Sequence, residues 1–188
     1  MKDKIRCSWA DTPLYIDYHD NEWGRPVHDD VKLFEMLTLE TMQAGLSWIT
    51  VLKKREAFRE AFDGFDPSKI ALYDDDKIES LMRNEKIIRN RLKINAAINN
   101  AKIFLEITKQ KTFNDFIWEY VDYTPIVGHW KKIEDLPATT PLSDKISKDL
   151  KKMGFKFVGS TTIYAFIQAT GMVNDHVTDC FAYREIVK

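Results

Sequence analysis

The sequence predicts an all-α fold, and three observations lead to that prediction. Apolar residues recur at helical spacing along nearly the whole chain, and no stretch alternates convincingly between polar and apolar residues as a half-buried strand does. Residues that cap or end helices separate the apolar stretches. The 188 residues, 44% of them hydrophobic and 30% charged, are enough for one good core or for two small cores that share an interface.

The predicted helices follow one another between capping residues and glycines. Aspartate and serine accept hydrogen bonds from the first N–H groups of a helix, proline suits its first turn, and glycine often ends it. The stretch 123–140 contains Pro125, Gly128 and Pro137 and is predicted to be mostly loop. The predicted helices are 29–44, 47–58, 66–72, a short helix led by acidic residues that runs through Ile78 and Leu81, 87–108, 113–121, 143–154 and 160–171.

Composition narrows the classes of protein to which the chain can belong. The formal net charge is -1 and the isoelectric point is about 6.4, whereas nucleic-acid-binding proteins usually carry a basic excess, so any DNA contact must be local. No apolar run follows the basic start, and no stretch approaches the roughly 20 apolar residues of a membrane span. Two cysteines without a secretory signal fit the reducing cytosol. We therefore expect a cytoplasmic protein with no membrane contact, and a monomer is the default expectation for its oligomeric state.

One cysteine and one histidine lie near each end of the chain. Cys7 and His19 belong to the N-terminal segment, and His176 and Cys180 lie shortly before the C-terminus. A structural zinc ion takes four such ligands in a closed tetrahedron, and the i, i+4 spacing of the second pair predicts a shared helix face. Convergence of the four would fasten the two ends of the chain together around one zinc ion. Two buried free thiols and two unrelated histidines remain the alternative.

A glycine-flanked segment between two predicted helices can bind an anion. Gly154 and Gly159 permit close backbone approach, and the N–H groups that open the next helix at Ser160 have no partners within that helix. Lys156 and nearby lysines add positive charge, so the segment suits a DNA phosphate. An ordinary αα-hairpin with solvated lysines fits these residues equally well. A second basic cluster is interpreted as a charged outer helix face: Lys86, Arg89, Arg91 and Lys93.

An acidic residue stands among aromatic residues in the first quarter of the sequence. Glu40 lies on a helix that is predicted to be buried, where a carboxylate needs a partner. Three interpretations of Glu40 remain open. Its side chain lies at the helix surface, pairs with an internal arginine, or accepts hydrogen bonds from the amino group of a ligand. Trp48 begins the following helix and can stack on a flat ring, although a tryptophan more often belongs to the core. Tyr15, Tyr18 and Trp23 are the other candidates for such a pocket.

Several segments carry long and specific motifs. Residues 7–9 read CSW, 13–24 PLYIDYHDNEWG, 43–55 QAGLSWITVLKKR, 154–159 GFKFVG and 173–177 VNDHV. Together they resemble the 3-methyladenine DNA glycosylase I family of the helix-hairpin-helix superfamily, over nearly the whole chain. The resemblance implies that the substrate is 3-methyladenine in alkylated double-stranded DNA. It also implies that the base is flipped out and released by hydrolysis of its N-glycosidic bond.

The resemblance further implies a structural zinc ion within a single two-lobed unit. We expect a helical lobe of about 28–140 and a second lobe, built from about 1–27 and 141–188, that contains the hairpin and the zinc. One ion is expected per chain. Its expected ligands are Cys7, His19, His176 and Cys180.

The same resemblance implies how the lesion would be held. The hairpin from Gly154 to Gly159 would grip the DNA backbone. Leu46, which follows Gly45, would enter the gap left by the extruded nucleotide. The base pocket would consist of Tyr18, Glu40 and Trp48, with Tyr15 and Trp23 nearby.

One position in the resemblance bears on catalysis. Other helix-hairpin-helix glycosylases carry a catalytic aspartate where this chain has Asn174, which leaves no obvious general base. Adenine methylated at N3 is cationic within DNA and departs readily as a neutral base, so it needs little help from an acid. Glu40 would then recognise the base and favour its positive charge. The alternatives are a non-catalytic lesion-binding protein on the same scaffold and a zinc hydrolase, which a closed four-ligand site disfavours.

Overall fold

The computed structural model describes residues 4–186, and this part of the chain is mainly helical, as the sequence predicts. Residues 1–3 and 187–188 of the predicted second lobe lie outside the described residues. Within residues 4–186, none of the helices combines the length and the hydrophobicity of a transmembrane span. The α-helices are α1 (Pro13–Asn21), α2 (Asp30–Gln43), α3 (Trp48–Leu52), α4 (Arg55–Ala61), α5 (Pro67–Ile70), α6 (Asp75–Arg83), α7 (Arg91–Thr108), α8 (Phe113–Trp118), α9 (Pro141–Lys152), α10 (Ser160–Ala169) and α11 (Phe181–Ile186).

Capping residues explain where the first helices begin. The side chain of Asp29 accepts a hydrogen bond from the N–H of Lys32 and starts α2, as predicted. Thr12 caps α1 in the same way, and Pro13 occupies its first turn. The apolar spacing does not predict α1, so this threonine–proline pair is the signal that the sequence analysis missed.

Several predicted helix boundaries are wrong, and three of the differences have a clear cause. The stretch 47–58 forms α3 and α4 instead of one helix, because Lys54 leaves the helical region at φ -101° and ψ 1°. The start of α7 is later than predicted, since the side chain of Asn90 caps the helix by accepting a hydrogen bond from the N–H of Lys93. The start of α9 is earlier than predicted, because Thr140 caps it.

Two short strands depart from the all-α prediction. β1 (Ile126–Val127) pairs in parallel with β2 (Val173–Asn174), with Ile126 opposite Val173. Strands of two residues are too short to show alternation, so a search for that pattern misses them. The pairing ties the stretch 123–140 to the C-terminal segment. Single 3-10 turns lie at Asp63–Phe65, Glu119–Val121 and Ile133–Asp135.

α2 is the central helix of the main core. Every residue of α2 from Leu33 to Met42 is buried, and α3, α7, α8 and α10 pack around it. α9 and α10 pack against each other and are joined by the α9–α10 loop (residues 153–159). Because α2 is enclosed, a polar side chain in this stretch must find an internal partner or face a cavity.

A smaller cluster of buried residues brings the two ends of the described chain together. Cys7 from the N-terminal segment contacts Val177 and Cys180 in this cluster, and Ala182 of α11 completes it. Trp23, which follows α1, packs against the cluster from the side of the main core. The chain ends are therefore fastened to each other, and α1 lies between this cluster and α2.

Candidate functional site

A cavity of about 280 Å³ lies between α1, α2, α3 and α10. A larger groove of about 750 Å³ between α7, α8 and α9 shares no residue with it. All five pocket residues proposed from the sequence line the smaller cavity: Tyr15, Tyr18, Trp23, Glu40 and Trp48. Its wall also contains residues that sequence reasoning missed: Trp9, Gln43, Ile133, Leu136, Ala165 and Gln168.

Glu40 is the one acid in the wall of this cavity, and it lacks a partner. The residue is 4% exposed, and its Oε2 accepts no hydrogen bond. Trp48 Nε1 is the other buried side-chain nitrogen or oxygen without a partner in residues 4–186. Burial raises the pKa of Glu40 to about 8, because the apolar surroundings solvate the charged form poorly. An unpaired acceptor and an unpaired donor in one cavity suit a ligand that offers the complementary groups.

Aromatic rings give the cavity its shape. Trp9 packs edge-on against Trp23, with 5.1 Å between ring centroids, and against Tyr15, with 5.5 Å. Tyr18 and Trp48 form a tilted pair 5.5 Å apart. The hydroxyl of Tyr15 accepts a hydrogen bond of 3.0 Å from a backbone N–H of α3, which joins α1 to α3. These contacts hold the rings in place, so the cavity is preformed for a flat or cationic ring.

A buried carboxylate behind the cavity orients Gln168. Asp175 is 1% exposed and accepts hydrogen bonds from Trp130 Nε1 at 2.6 Å, from Tyr164 Oη at 2.5 Å and from Gln168 Nε2 at 2.8 Å. Because a carboxylate accepts, the amide nitrogen of Gln168 must face Asp175, and its Oε1 remains available as an acceptor. Asp175 thereby joins α10 to the loop that carries Trp130.

Asn174 does not line the cavity. It is fully buried, and its Oδ1 accepts a hydrogen bond of 3.3 Å from the N–H of His176. Its Nδ2 donates to the carbonyl of Tyr183 at 3.4 Å. Both bonds go to the backbone of the C-terminal segment, so Asn174 supports that segment instead of facing the cavity.

The four predicted metal ligands converge. Their ligand atoms lie within 4.8 Å of one another, and all four residues are buried. Sγ of Cys7 is 3.6 Å from Nδ1 of His176, and Sγ of Cys180 is 3.4 Å from Nε2 of His19. Zinc bonds of about 2.0 Å to nitrogen and about 2.3 Å to sulfur place tetrahedral ligands roughly 3.3–3.8 Å apart, so the spacing suits this ion.

The predicted helix that would carry His176 and Cys180 does not form. Both residues lie in the irregular segment between β2 and α11. The chain is extended just before His176, because β2 pairs with β1 and prevents a helix from starting there. The two ligands converge through the loop instead of through a shared helix face.

Hydrogen bonds fix both histidine rings of this cluster. Nδ1 of His19 donates to Asp20 at 2.9 Å, and Arg6 holds Asp20 through two bonds of 2.8 Å. These bonds from Arg6 lower the pKa of Asp20, which keeps its carboxylate charged. Nε2 of His176 donates to the carbonyl of Trp23 at 3.0 Å. Metal-binding histidines typically use their second nitrogen in this way, which leaves the first free for the ion.

The α9–α10 loop exposes its backbone beside α10. Gly154 has φ +97°, which a side chain would make unfavourable, and a Cβ at Gly159 would meet no atom within 4 Å. The N-terminus of α10 has no side-chain cap, so N–H groups of its first turn keep their capacity to donate. Lys156 is exposed and Ser160 is half-buried. The loop therefore combines an open backbone with local positive charge, as a phosphate site requires.

The α2–α3 loop (residues 44–47) faces the same side of the molecule. Gly45 has φ +78°, and Leu46 is 42% exposed. A cavity of about 230 Å³ lies between this loop and the start of α10. It shares three wall residues with the aromatic cavity: Glu40, Gln43 and Ala165.

Lys93 does not lie on the outer helix face where the sequence analysis put it. It is 6% exposed, and its Nζ donates to the carbonyls of Met42 at 2.9 Å and Ala44 at 2.6 Å. Burial lowers its pKa. The other members of the predicted basic cluster are exposed, as expected: Lys86, Arg89 and Arg91.

Comparison with known proteins points to one family. A profile of the methyladenine glycosylase family matches residues 8–183. The chain is 51% identical over 180 residues to DNA-3-methyladenine glycosylase 1 of Escherichia coli (strain K12), which covers 95% of this chain and 96% of that protein. A crystal structure of 3-methyladenine DNA glycosylase I superposes with a TM-score of 0.91 at 52% identity and covers 94% of this chain and 98% of the other.

A structure of a variant 3-methyladenine DNA glycosylase I in complex with 3-methyladenine is equally similar in fold. Its TM-score is 0.91 at 37% identity, and the match covers 95% of this chain and 97% of the other. The family profile, the sequence identity and the superposition agree over almost the whole length. The chain therefore belongs to the methyladenine glycosylase family.

Proposed function

We propose that this protein is a monomeric, cytoplasmic DNA repair enzyme that flips 3-methyladenine out of alkylated double-stranded DNA and hydrolyses its N-glycosidic bond. The observation that carries the proposal is the unpaired, buried carboxylate of Glu40 in a cavity walled by aromatic rings. Two relatives support it, since one is named DNA-3-methyladenine glycosylase 1 and another was solved with 3-methyladenine bound. The products are the free base and an abasic site.

The positive charge of the lesion decides what the residues of the cavity must do. Adenine methylated at N3 leaves DNA as a neutral base, so its departure needs no proton from the protein, and Asn174 needs no catalytic role. Glu40 accepts a hydrogen bond from the exocyclic amino group, and its charge favours a cation over neutral adenine. The aromatic faces of Tyr18 and Trp48 attract the same cationic ring.

The protonation of Glu40 adds to this selectivity. With a pKa near 8, its carboxyl group is mostly neutral at pH 7 while the cavity is empty. A cationic ring favours the ionised form, since an opposite charge lowers the pKa of a nearby acid. Neutral adenine does not stabilise the ionised carboxylate of Glu40 in this way, so it binds in the cavity less favourably than the cationic lesion.

Two loops provide the contacts with DNA in this proposal. Leu46 fills the gap left by the extruded nucleotide, and Gly45 lets the chain turn tightly before it. The first N–H groups of α10 and the side chain of Lys156 bind phosphates. Flipping costs a few kcal/mol, and less for a base whose pairing is already weakened, so the lesion itself favours extrusion.

Base release from methylated duplex DNA tests the proposed function directly. The wild type is expected to release 3-methyladenine, and Glu40→Gln is expected to release it on the order of 100-fold more slowly, because one charge-assisted hydrogen bond is lost. A wild-type protein that retains methylated DNA without releasing base would instead be a non-catalytic lesion-binding protein. Excision by Glu40→Gln at the wild-type rate would remove Glu40 from the mechanism.

We also propose that Cys7, His19, His176 and Cys180 hold one structural zinc ion. All four ligand atoms are buried and lie within 4.8 Å of one another, and two thiolates held this close need a cation beside them. Four protein ligands leave no open position, so the ion would stabilise the joined chain ends and would activate no water.

Metal analysis and melting together test this zinc site. We expect about one zinc ion per chain, and we expect Cys7→Ser to lose it and to melt at a lower temperature. Chelator added to the folded wild type should leave base release intact for as long as the fold persists. A zinc-free wild type, or a Cys7→Ser variant with unaltered melting, would contradict the proposal.

A further inference from the structure

Polar side chains of α7 hold both loops that face the proposed DNA-binding side. Lys93 binds the end of α2 and the α2–α3 loop, whereas Asn99 and Asn100 bind the α9–α10 loop. α7 contributes none of the residues that line the aromatic cavity. Its polar contacts therefore reach the backbone of the two loops and of the end of α2, and they involve no side chain that lines the cavity.

Lys93 stabilises the end of α2 in a way that α2 cannot achieve by itself. The last carbonyls of a helix lack partners within the helix and favour a positive charge nearby. The last turn of α2 contains no basic residue, and Lys93 brings its ammonium group from α7 to the carbonyls of Met42 and Ala44. Gly45 and Leu46 follow immediately, so this contact sets where Leu46 emerges.

Within residues 4–186, no carboxylate forms an ion pair with Lys93, although the residue is only 6% exposed. Burying a charge with only backbone carbonyls as partners is expensive compared with leaving it in water. A neutral residue would fill the same space at a smaller cost. The charge is explained if its task is to fix the backbone of the α2–α3 loop.

Asn100 holds the α9–α10 loop through both polar atoms of its side-chain amide. Its Oδ1 accepts from the N–H of Lys156 at 2.8 Å, and its Nδ2 donates to the carbonyl of the same residue at 3.0 Å. Asn99 adds a bond of 2.9 Å to the carbonyl of Gly154. The loop is thus fixed at two positions by neighbouring residues of α7.

The spacing of these residues relates the two loops to each other. Lys93 and Asn100 are seven residues apart, which is almost two full turns, so they share one face of α7 about 10 Å apart along its axis. A rigid helix therefore anchors the loop that carries Leu46 at a fixed distance from the loop that carries Lys156.

We infer that α7 is a positioning element that sets the distance between the two DNA-facing loops, with Lys93 and Asn100 as its positioning residues. The inference rests on the proposed function, because it assigns both loops to DNA. Entry of Leu46 into the duplex and the phosphate grip beside α10 must occur together for the nucleotide to leave the stack. A change in their spacing impairs excision from DNA, whereas a free base reaches the cavity without either loop.

Two measurements on each variant test this assignment. One is kcat/KM for base release from methylated duplex DNA, and the other is the affinity for free 3-methyladenine from tryptophan fluorescence. Lys93→Met should lower kcat/KM at least 10-fold and leave base affinity within about twofold of the wild type. Lys93→Arg, which keeps the charge and the donors, should recover most of the activity. Lys102→Met is the matched control, since Lys102 is an exposed lysine of the same helix, and it should resemble the wild type.

Asn100→Ala tests the same inference at the α9–α10 loop. It should likewise lower kcat/KM for base release and leave the affinity for free 3-methyladenine close to that of the wild type. If Lys93→Met and Asn100→Ala both release the base with the kcat/KM of the wild type, the inference is overturned. A parallel loss of base affinity and excision would also overturn it, as would failure of both variants to fold, because the contacts would then be purely structural. A wild type that releases no base would refute the proposed function instead.

Discussion

Two buried carboxylates on α2 differ in what surrounds them. Glu35 is 7% exposed and accepts hydrogen bonds from Nε of Arg55 at 2.7 Å and from Nε of Arg59 at 3.0 Å. Glu40 follows five residues later, is 4% exposed and has an oxygen without any partner. Burial alone therefore does not distinguish a binding residue from a structural one. A buried hydrogen-bonding atom without a partner does distinguish them, because a folded protein gains no stability from such an atom.

The largest difference between the two carboxylates is expected in the pH dependence of stability. The usual pKa of 4.5 for Glu40 rises to about 8 in the folded protein. The unfolded chain releases this proton above about pH 4.5 and the folded protein keeps it until about pH 8, so stability falls across that interval. At about 1.36 kcal/mol per pKa unit, the loss is on the order of 5 kcal/mol.

Glu40→Gln lacks this titration and is expected to be more stable than the wild type at about pH 9. The two proteins should be similar below about pH 4.5, where the carboxyl group is neutral in both states. Urea unfolding of both proteins between about pH 4 and pH 9 measures the effect. Parallel stability profiles would show that Glu40 has a partner that the structure does not reveal.

Glu35→Gln is expected to act in the opposite direction. Removing the charge of Glu35 leaves Arg55, which is 4% exposed, with Glu22 as its remaining acidic partner. Breaking a buried pair in this way costs about 3 kcal/mol, or a fall in Tm of roughly 6–12 °C for a protein of this size. Calorimetry near pH 7 measures it. A Glu35→Gln variant with the same Tm as the wild type would show that the ion pair is not needed for stability.

A smaller effect is expected at the second unpaired atom. Trp48→Phe keeps an aromatic ring but removes Nε1, so affinity for 3-methyladenine should fall by about fivefold, as for one ordinary hydrogen bond. Trp118→Phe is the control, since Nε1 of Trp118 donates to the carbonyl of Val27 at 2.8 Å. The control should lose stability and keep its base affinity. Equal base affinity in both variants would mean that Trp48 contributes its ring alone.

The residues that meet in the aromatic cavity and in the metal cluster could be proposed from the sequence because their chemistry is unusual for their surroundings. An acid among apolar residues and scarce cysteines matched with histidines stand out without a structure. The local geometry did not follow from spacing alone. His176 and Cys180 have helical spacing, yet the pairing of β2 with β1 keeps their segment irregular.

Residues whose position depends on distant contacts were missed. Trp9 reaches the cavity because it packs edge-on against Trp23, and Gln168 is oriented by Asp175. Lys93 looked like one more exposed lysine in a basic stretch, because its sequence neighbours are charged and exposed. Its acceptors lie about fifty residues earlier in the chain, at Met42 and Ala44, and no local pattern indicates such a contact.

The affinity of free 3-methyladenine for three proteins tests the central claim most directly. Titration of the wild type, Glu40→Gln and Glu35→Gln separates recognition from stability, because both variants replace a buried carboxyl group on the same helix with an amide. We expect Glu35→Gln to bind the base within about twofold of the wild type. We expect Glu40→Gln to bind it about 10-fold more weakly, which corresponds to about 1.4 kcal/mol, because the free base is neutral and one hydrogen bond from its amino group is weakened. Undiminished affinity in Glu40→Gln, or an equal loss in Glu35→Gln, would contradict the assignment of Glu40 as the residue that recognises the base.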